Sequence, residues 1–225
     1  MAAASGARLQ PGESVAVVSV GLLGGAFDPP HVGHVALARE GIAVFSLDRL
    51  LVRVVADPGH KEVSTPAGVR LELARLAFSE VRGAEVALDP YARTVDSLEA
   101  LDLDDPDFLI GADEFAAFLA WKEPDRILER ARLGVATRPG VERGRLDEVL
   151  AALAQPGRVS FFTLESHPVS SSEIRTRVAA GRPIDGLVPP AVRAEIERLG
   201  LYADRPPTGA GGMLPDDLSE RTTPN

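Results

Sequence analysis

Gly24-Gly25-Ala26-Phe27-Asp28-Pro29-Pro30-His31-Val32-Gly33-His34 is the stretch on which the reading of this chain turns. It follows an apolar run, Val15–Leu23, with the composition of a buried strand, and it opens an apolar-periodic stretch with helical spacing. Two glycines let the backbone pass close to a ligand, because no Cβ stands in the way. Pro29 and Pro30 suit a rigid entry into a helix, whose first amide hydrogens are unpaired in any case. His31 and His34 stand three apart, so both point to one side of the helix start. Amides, a positive dipole end and two imidazoles together form a site for an anion, and phosphate suits them best. The competing reading is a plain strand–helix turn with two surface histidines.

Outward from this stretch, apolar runs alternate with amphipathic segments. The patterns predict strands at Val15–Leu23, Leu50–Ala56, Ala84–Leu88, Asp107–Ile110, Leu133–Thr137 and Arg158–Leu164. They predict helices at Gly33–Ser46, Pro66–Phe78, Thr94–Leu103, Asp113–Ala120, Pro124–Arg130, Arg145–Ala154, Ser171–Ala180 and Pro190–Leu199. Such alternation implies an α/β fold: a Rossmann-like, doubly wound, mostly parallel sheet with helices on both faces. In that architecture ligands bind beyond the carboxyl ends of the strands, where the chain order switches sides. Residues 1–13 and 203–225 read as loose tails around one domain, 14–202, with a small helical part from about 168 to 202.

The 225 residues are 45% hydrophobic and 25% charged, with a net charge of −9. An acidic surface argues against general affinity for nucleic acid or anionic membranes, though a few converging cations can still bind a nucleotide. Without cysteine there is no disulfide, thiolate metal site or thiol nucleophile. Met1–Pro11 lacks a basic leader and an apolar core, and no apolar run could span a bilayer. The expected setting is therefore cytoplasmic, with room left for a homo-oligomer.

Further groups fall at predicted strand ends. Asp57-Pro58-Gly59-His60-Lys61 follows the second strand and offers a cation that is either solvated or a phosphate contact. Asp113 follows Ile110-Gly111-Ala112 and reads equally as a helix N-cap or as a partner for a ribose hydroxyl. Trp121, the only tryptophan, is a core residue or a ring-stacking platform. Arg138 sits in an Arg-Pro-Gly turn after the fifth strand. Ser170-Ser171-Ser172-Glu173-Ile174-Arg175 is a capping box or a second anion cradle with Arg175 as its fixed charge. No nucleophile–base pair and no carboxylate cage for a metal stands out. Phosphate holders at both ends of the chain suit a phosphoryl or nucleotidyl transfer driven by positioning and charge stabilisation.

From Gly21 to Tyr202 the sequence resembles bacterial nicotinate-mononucleotide adenylyltransferases of the HxGH nucleotidyltransferase superfamily. Gly24–His34 looks like the GGxFDPxHxGH signature, and Ser170–Arg175 looks like ISxTxIR. His60-Lys61, Thr94-Val95-Asp96-Ser97-Leu98, Ile110–Asp113 with Trp121, Arg138-Pro139-Gly140 and Gly200-Leu201-Tyr202 are closer to the nicotinate branch. The resemblance implies that ATP and nicotinate mononucleotide give deamido-NAD and pyrophosphate. It implies that His31, His34, Lys61 and Arg175 act on the phosphates. Gly24, Gly25, Ala26, Phe27, Gly33, Gly111, Asp113, Arg138, Ser170 and Ser171 would surround ATP. His60, Thr94 and Trp121 would receive the mononucleotide, Trp121 by stacking on the pyridine ring. Mg²⁺ would ride on ATP oxygens and water. Ala26 replaces a usual Thr or Ser, Arg93 a common aromatic, Ser97 a threonine, and Gly59 and Val54 prolines. Transfer to another acceptor, such as nicotinamide mononucleotide or phosphopantetheine, is an alternative, as is a non-catalytic nucleotide-binding regulator.

Overall fold

A computed structural model describes residues 18–59, 63, 65–138, 143–165 and 167–203. Six strands form one sheet: β1 Val20–Gly25, β2 Arg49–Val55, β3 Ala84–Asp89, β4 Asp107–Gly111, β5 Arg132–Thr137 and β6 Val159–Thr163. Their order is β3-β2-β1-β4-β5-β6, and every pairing is parallel. The helices are α1 Val32–Phe45, α2 Ala67–Phe78, α3 Thr94–Leu101, α4 Ala112–Ala116, α5 Pro124–Arg130, α6 Arg143–Ala152, α7 Ser171–Ala179 and α8 Pro190–Leu199. The expected Rossmann-like sheet is present, and α7 and α8 form the helical C-terminal part.

Successive strand residues feed opposite faces, as strand geometry requires. Leu23 and Leu109 join a core with α1, α2, α7 and α8. Leu22, Phe108 and Ile110 join a second core with α3, α4, α5 and α6. Cover on both sides explains why β4 and β5 are nearly continuous apolar runs rather than alternating ones. At the edges, β3 and β6 are mostly part-exposed. Gly41 lets α1 lie directly on Leu109, and Gly134 lies under Phe45, so any Cβ at either would collide with those side chains.

Most element ends lie within one or two residues of the sequence reading, and two differences are larger. β1 begins at Val20 and runs through Gly25, so both glycines belong to the strand, opposite Arg53 and Val54. The ladder to β2 is what extends it. The single helix expected at Asp113–Ala120 is instead α4 followed by a 3₁₀ turn at Phe118–Ala120. The break turns Phe115 and Phe118 into the second core. The expected tails, apart from Ala203, lie outside the described residues.

The chain reverses direction across the sheet between β1 and β4, which makes their carboxyl ends the switch point. β1 pairs with β4 only at Gly21–Asp107 and Leu22–Phe108, whereas it pairs with β2 along its full length. Beyond Leu22 and Phe108 the two strands part. In a sheet of this order the ligand crevice lies at that point, beside Gly24 and Gly25 of β1 and Gly111 of β4.

Candidate active site

The loop from Ala26 to His31 enters the crevice. Phe27 adopts a left-handed conformation, φ +50, and its ring folds back over the preceding strand. A Cβ on Gly25 would stand 3.1 Å from that ring, so any larger residue there would press on Phe27. The Phe27 side chain is only 2% exposed and packs edge-on against Phe78 at 5.6 Å and His34 at 5.1 Å.

The following residues are clamped from distant parts of the chain. Arg175 of α7 donates from Nη1 to the Asp28 carbonyl at 2.7 Å, across 147 residues. Ser171 Oγ donates to the Pro29 carbonyl at 2.8 Å, and the Val32 amide donates to the Leu187 carbonyl at 3.0 Å. The Tyr202 hydroxyl donates to Asp28 Oδ1 at 2.7 Å, deep enough that burial pushes the phenol well above its ordinary range. Asp28 is itself 3% exposed, so this bond satisfies a buried carboxylate. The motifs at the two ends of the chain thus meet at one loop.

At the start of α1, the two imidazoles stack at 3.6 Å with 22° between their planes. The His31 amide donates to His34 Nδ1 at 3.2 Å, the return half of a capping box. In the neutral ring an accepting Nδ1 puts the proton on Nε2, which makes that nitrogen the donor. His31 Nδ1 is buried with no partner of hydrogen-bond geometry. Burial, with His167 second, lowers His31 to about 4, so at neutral pH it is an uncharged dipole rather than a cation. Gly33 lies close beside it, since a Cβ there would stand 3.2 Å from the His31 ring and crowd it.

His31 carries a stability consequence. Its pKa is about 4 in the folded chain against an ordinary 6.5, so the unfolded chain takes up this proton first. The contribution is full above pH 6.5 and drains as pH falls toward 4. Between pH 7 and pH 4 the parent should lose about 3 kcal/mol more stability than His31→Asn. Urea unfolding of both proteins at the two pH values checks this, and parallel losses would contradict it.

The serines of the last motif are held within the protein. Ser170 caps α7, its Oγ accepting from the Glu173 amide at 3.1 Å, while Ser171 is bound to Pro29. Glu173 turns to Arg177 at 2.8 Å rather than back to the cap. Arg175 Nη2 donates to Ser172 Oγ at 3.2 Å. Among the described residues of this motif, Arg175 is the cation bonded to the loop after β1. His60 and Lys61 lie outside the described residues.

Across the crevice, the N-cap of α4 is Gly111, which corrects the N-cap alternative for Asp113. Asp113 is the second residue of the helix, its side chain 85% exposed and 3.5 Å from Arg138 Nη2. β4 and β5 are neighbours, so the residues after them pair at the rim. Trp121 is half-buried, with its ring 6.1 Å from Phe108 and 5.4 Å from Phe118. Phe108 also lies 3.7 Å from the place of a Gly24 Cβ, so it bridges the glycine strand to Trp121. Lys122–Asp96 at 2.6 Å and Arg126–Glu99 at 3.1 Å tie the Trp121 segment to α3, whose first residue is Thr94. Ser97 Oγ donates to buried Asp89 at 2.6 Å, and the Tyr91 amide donates to the same carboxylate at 3.0 Å. These bonds shape the loop that precedes Thr94.

Sequence reasoning overlooked Arg70, Asp89 and His167. Arg70 carried a signal: it shares a helical stripe with Leu73, Ala74 and Ala77, an arginine on an apolar face. His167 carried none; only the fold brings it beside His31 and Gly33. Among the described residues, no group of three or more His, Cys, Asp or Glu could hold a metal ion. Nor is any helix among them long and apolar enough to cross a membrane.

The cytidylyltransferase-like family model matches residues 22–177. A "Probable nicotinate-nucleotide adenylyltransferase" of Bordetella avium is 36% identical over 191 residues, covering 81% of this chain and 97% of that protein. The protein of the same name from Thermus thermophilus is 38% identical over 194 residues, covering 81% of this chain and 98% of its own. Among solved structures, the nicotinic acid mononucleotide adenylyltransferase of Plasmodium falciparum complexed with NaAD superposes with a TM-score of 0.67. It covers 82% of this chain and 97% of its own, and at 15% identity the likeness is one of fold.

Proposed function

Because the chain belongs to the cytidylyltransferase-like family, and within it to the nicotinate-nucleotide adenylyltransferases, we propose that it transfers an adenylyl group from ATP to nicotinate mononucleotide, giving deamido-NAD and pyrophosphate in NAD biosynthesis. The observation that carries this reading is the clamp: Arg175 and Ser171 bond directly to the Asp28 and Pro29 carbonyls beside the paired histidines. Two phosphate motifs from opposite ends of the chain so face one crevice at the sheet's switch point.

In the reaction, a phosphate oxygen of the mononucleotide forms a bond to the α-phosphorus of ATP while the bond to the pyrophosphate oxygen breaks. The substrate is its own nucleophile, in keeping with a site built of donors rather than bases. His34 Nε2–H and Arg175 stabilise the charge that gathers on the phosphate oxygens. Asp113 and Arg138 at the rim receive the adenosine, and Trp121 with the Thr94 loop receives the pyridine side. Imidazole, guanidinium and amide donors suit anions, not a hard cation, so Mg²⁺ enters as part of the ATP substrate. The substrates are soluble and the setting cytoplasmic.

Trp121→Ala tests the acceptor side. Loss of an aromatic stacking partner should raise the KM for nicotinate mononucleotide roughly 3- to 10-fold while leaving that for ATP within about twofold. Equal effects on both substrates in steady-state kinetics would contradict the stacking role.

A further inference from the structure

Arg70 is a fully buried arginine, at 1% exposure, bonded to the loop after β1. A cation is kept there only if its donors are matched. Nε donates to the Thr65 carbonyl at 3.0 Å; Nη1 donates to Ala26 at 2.7 Å and Val55 at 2.9 Å; Nη2 donates to Ala56 at 2.7 Å. Every acceptor is a main-chain carbonyl. They come from three segments: the loop after β1, the end of β2, and the turn before α2. Burial pulls the guanidinium below its ordinary range, and the charges of Asp28 and Asp57 oppose that pull.

What these bonds do follows from the planarity of the peptide group. A trans peptide directs its carbonyl and its amide hydrogen to opposite sides, and the one cis bond among the described residues is Asp28–Pro29. With the Ala26 carbonyl held by Arg70, the Phe27 amide hydrogen points the opposite way, away from Arg70. The Ala56 carbonyl is held in the same way, so the Asp57 amide hydrogen also points away from Arg70. One buried side chain sets the direction of two main-chain donors that follow separate strands.

We propose that Arg70 is a positioning residue for adenylyl transfer, aiming the Phe27 amide at the phosphate chain and holding its loop in register with the end of β2. The inference rests on the adenylyltransferase reading. Lysine cannot replace arginine here: its donors radiate from one nitrogen, whereas the planar guanidinium fork reaches carbonyls of three segments at once. A misplacement near 1 Å at such a site costs on the order of 10²-fold in rate.

The test compares Arg70→Lys with the parent enzyme in turnover, ATP affinity and melting temperature. Arg70→Lys should lose about 10²-fold in kcat per folded molecule while ATP affinity falls less than about tenfold. A kcat within twofold of the parent, with stability alone reduced, overturns the proposal. Should Arg70→Lys not fold, the parent decides by ¹⁵N NMR with Mg²⁺ and α,β-methylene-ATP. The Phe27 amide and the Arg70 Nε–H, although buried, should both shift on binding; no shift in either overturns the proposal. That arm needs no acceptor and no turnover, so it is read apart from the reaction itself. A parent that binds the analogue with these shifts yet forms no pyrophosphate would defeat the functional reading and leave the positioning role standing.

Discussion

His34→Ala will turn over about 10²- to 10³-fold more slowly than the parent, the scale for removing one preorganised donor from a developing charge. Preorganisation is visible in the structure. The His31 amide takes Nδ1 of His34 at 3.2 Å, the His31 ring stacks on it at 3.6 Å, and Phe27 meets its edge at 5.1 Å. The ring is thus fixed in place and tautomer before any substrate arrives. Little reorganisation remains for the moment of transfer, so the loss should appear in kcat more than in the KM for ATP. His34→Gln keeps a donor without the ring's fixed geometry and should recover only part of the rate. Near-normal kcat for His34→Ala in a pyrophosphate-release assay would remove His34 from the mechanism.

Arg175→Ala is the second large effect, expected on the order of 10² in kcat/KM. Two contributions add there. The variant removes the cation of the last motif, and it frees the Asp28 carbonyl from its 2.7 Å bond to Nη1. Arg175→Lys separates them, since an ammonium keeps the charge but not the fork that holds Asp28 O and Ser172 Oγ together. Arg175→Lys should lie between Arg175→Ala and the parent. If Arg175→Ala matched the parent, the two motifs would face each other for packing alone.

The order of strands and helices could be read from the chain because hydrophobic period reports burial directly. Val52, Leu109 and Val135 are buried wherever the parallel sheet is covered on both faces, and their runs say so. Boundaries were less legible. Gly25 looks like a loop residue by composition, yet its pairing with Val54 makes it strand, and no local signal reports a neighbouring strand. The site divided in the same way. His31, His34 and Arg175 stood out because their spacing is local and their chemistry specific. What the histidines do electrically was hidden: the fall of His31 to about 4 comes from burial, which no spacing reveals. Ser170 and Ser171 were ambiguous until the fold placed one on the Glu173 amide and the other on the Pro29 carbonyl. Tyr202 was recognisable as a marker, but its bond to Asp28 spans 174 residues. Arg70 could have been found, as the one charged residue on the apolar stripe of α2.

The most direct measurement offers ATP and Mg²⁺ to the protein together with nicotinate mononucleotide, its amide and phosphopantetheine, and follows pyrophosphate and the adenylylated product. Pyrophosphate release that depends on acceptor, with deamido-NAD as the main product, is the predicted result. Preferred use of either other acceptor would contradict the substrate assignment, and ATP binding without pyrophosphate from any of the three would contradict adenylyl transfer itself.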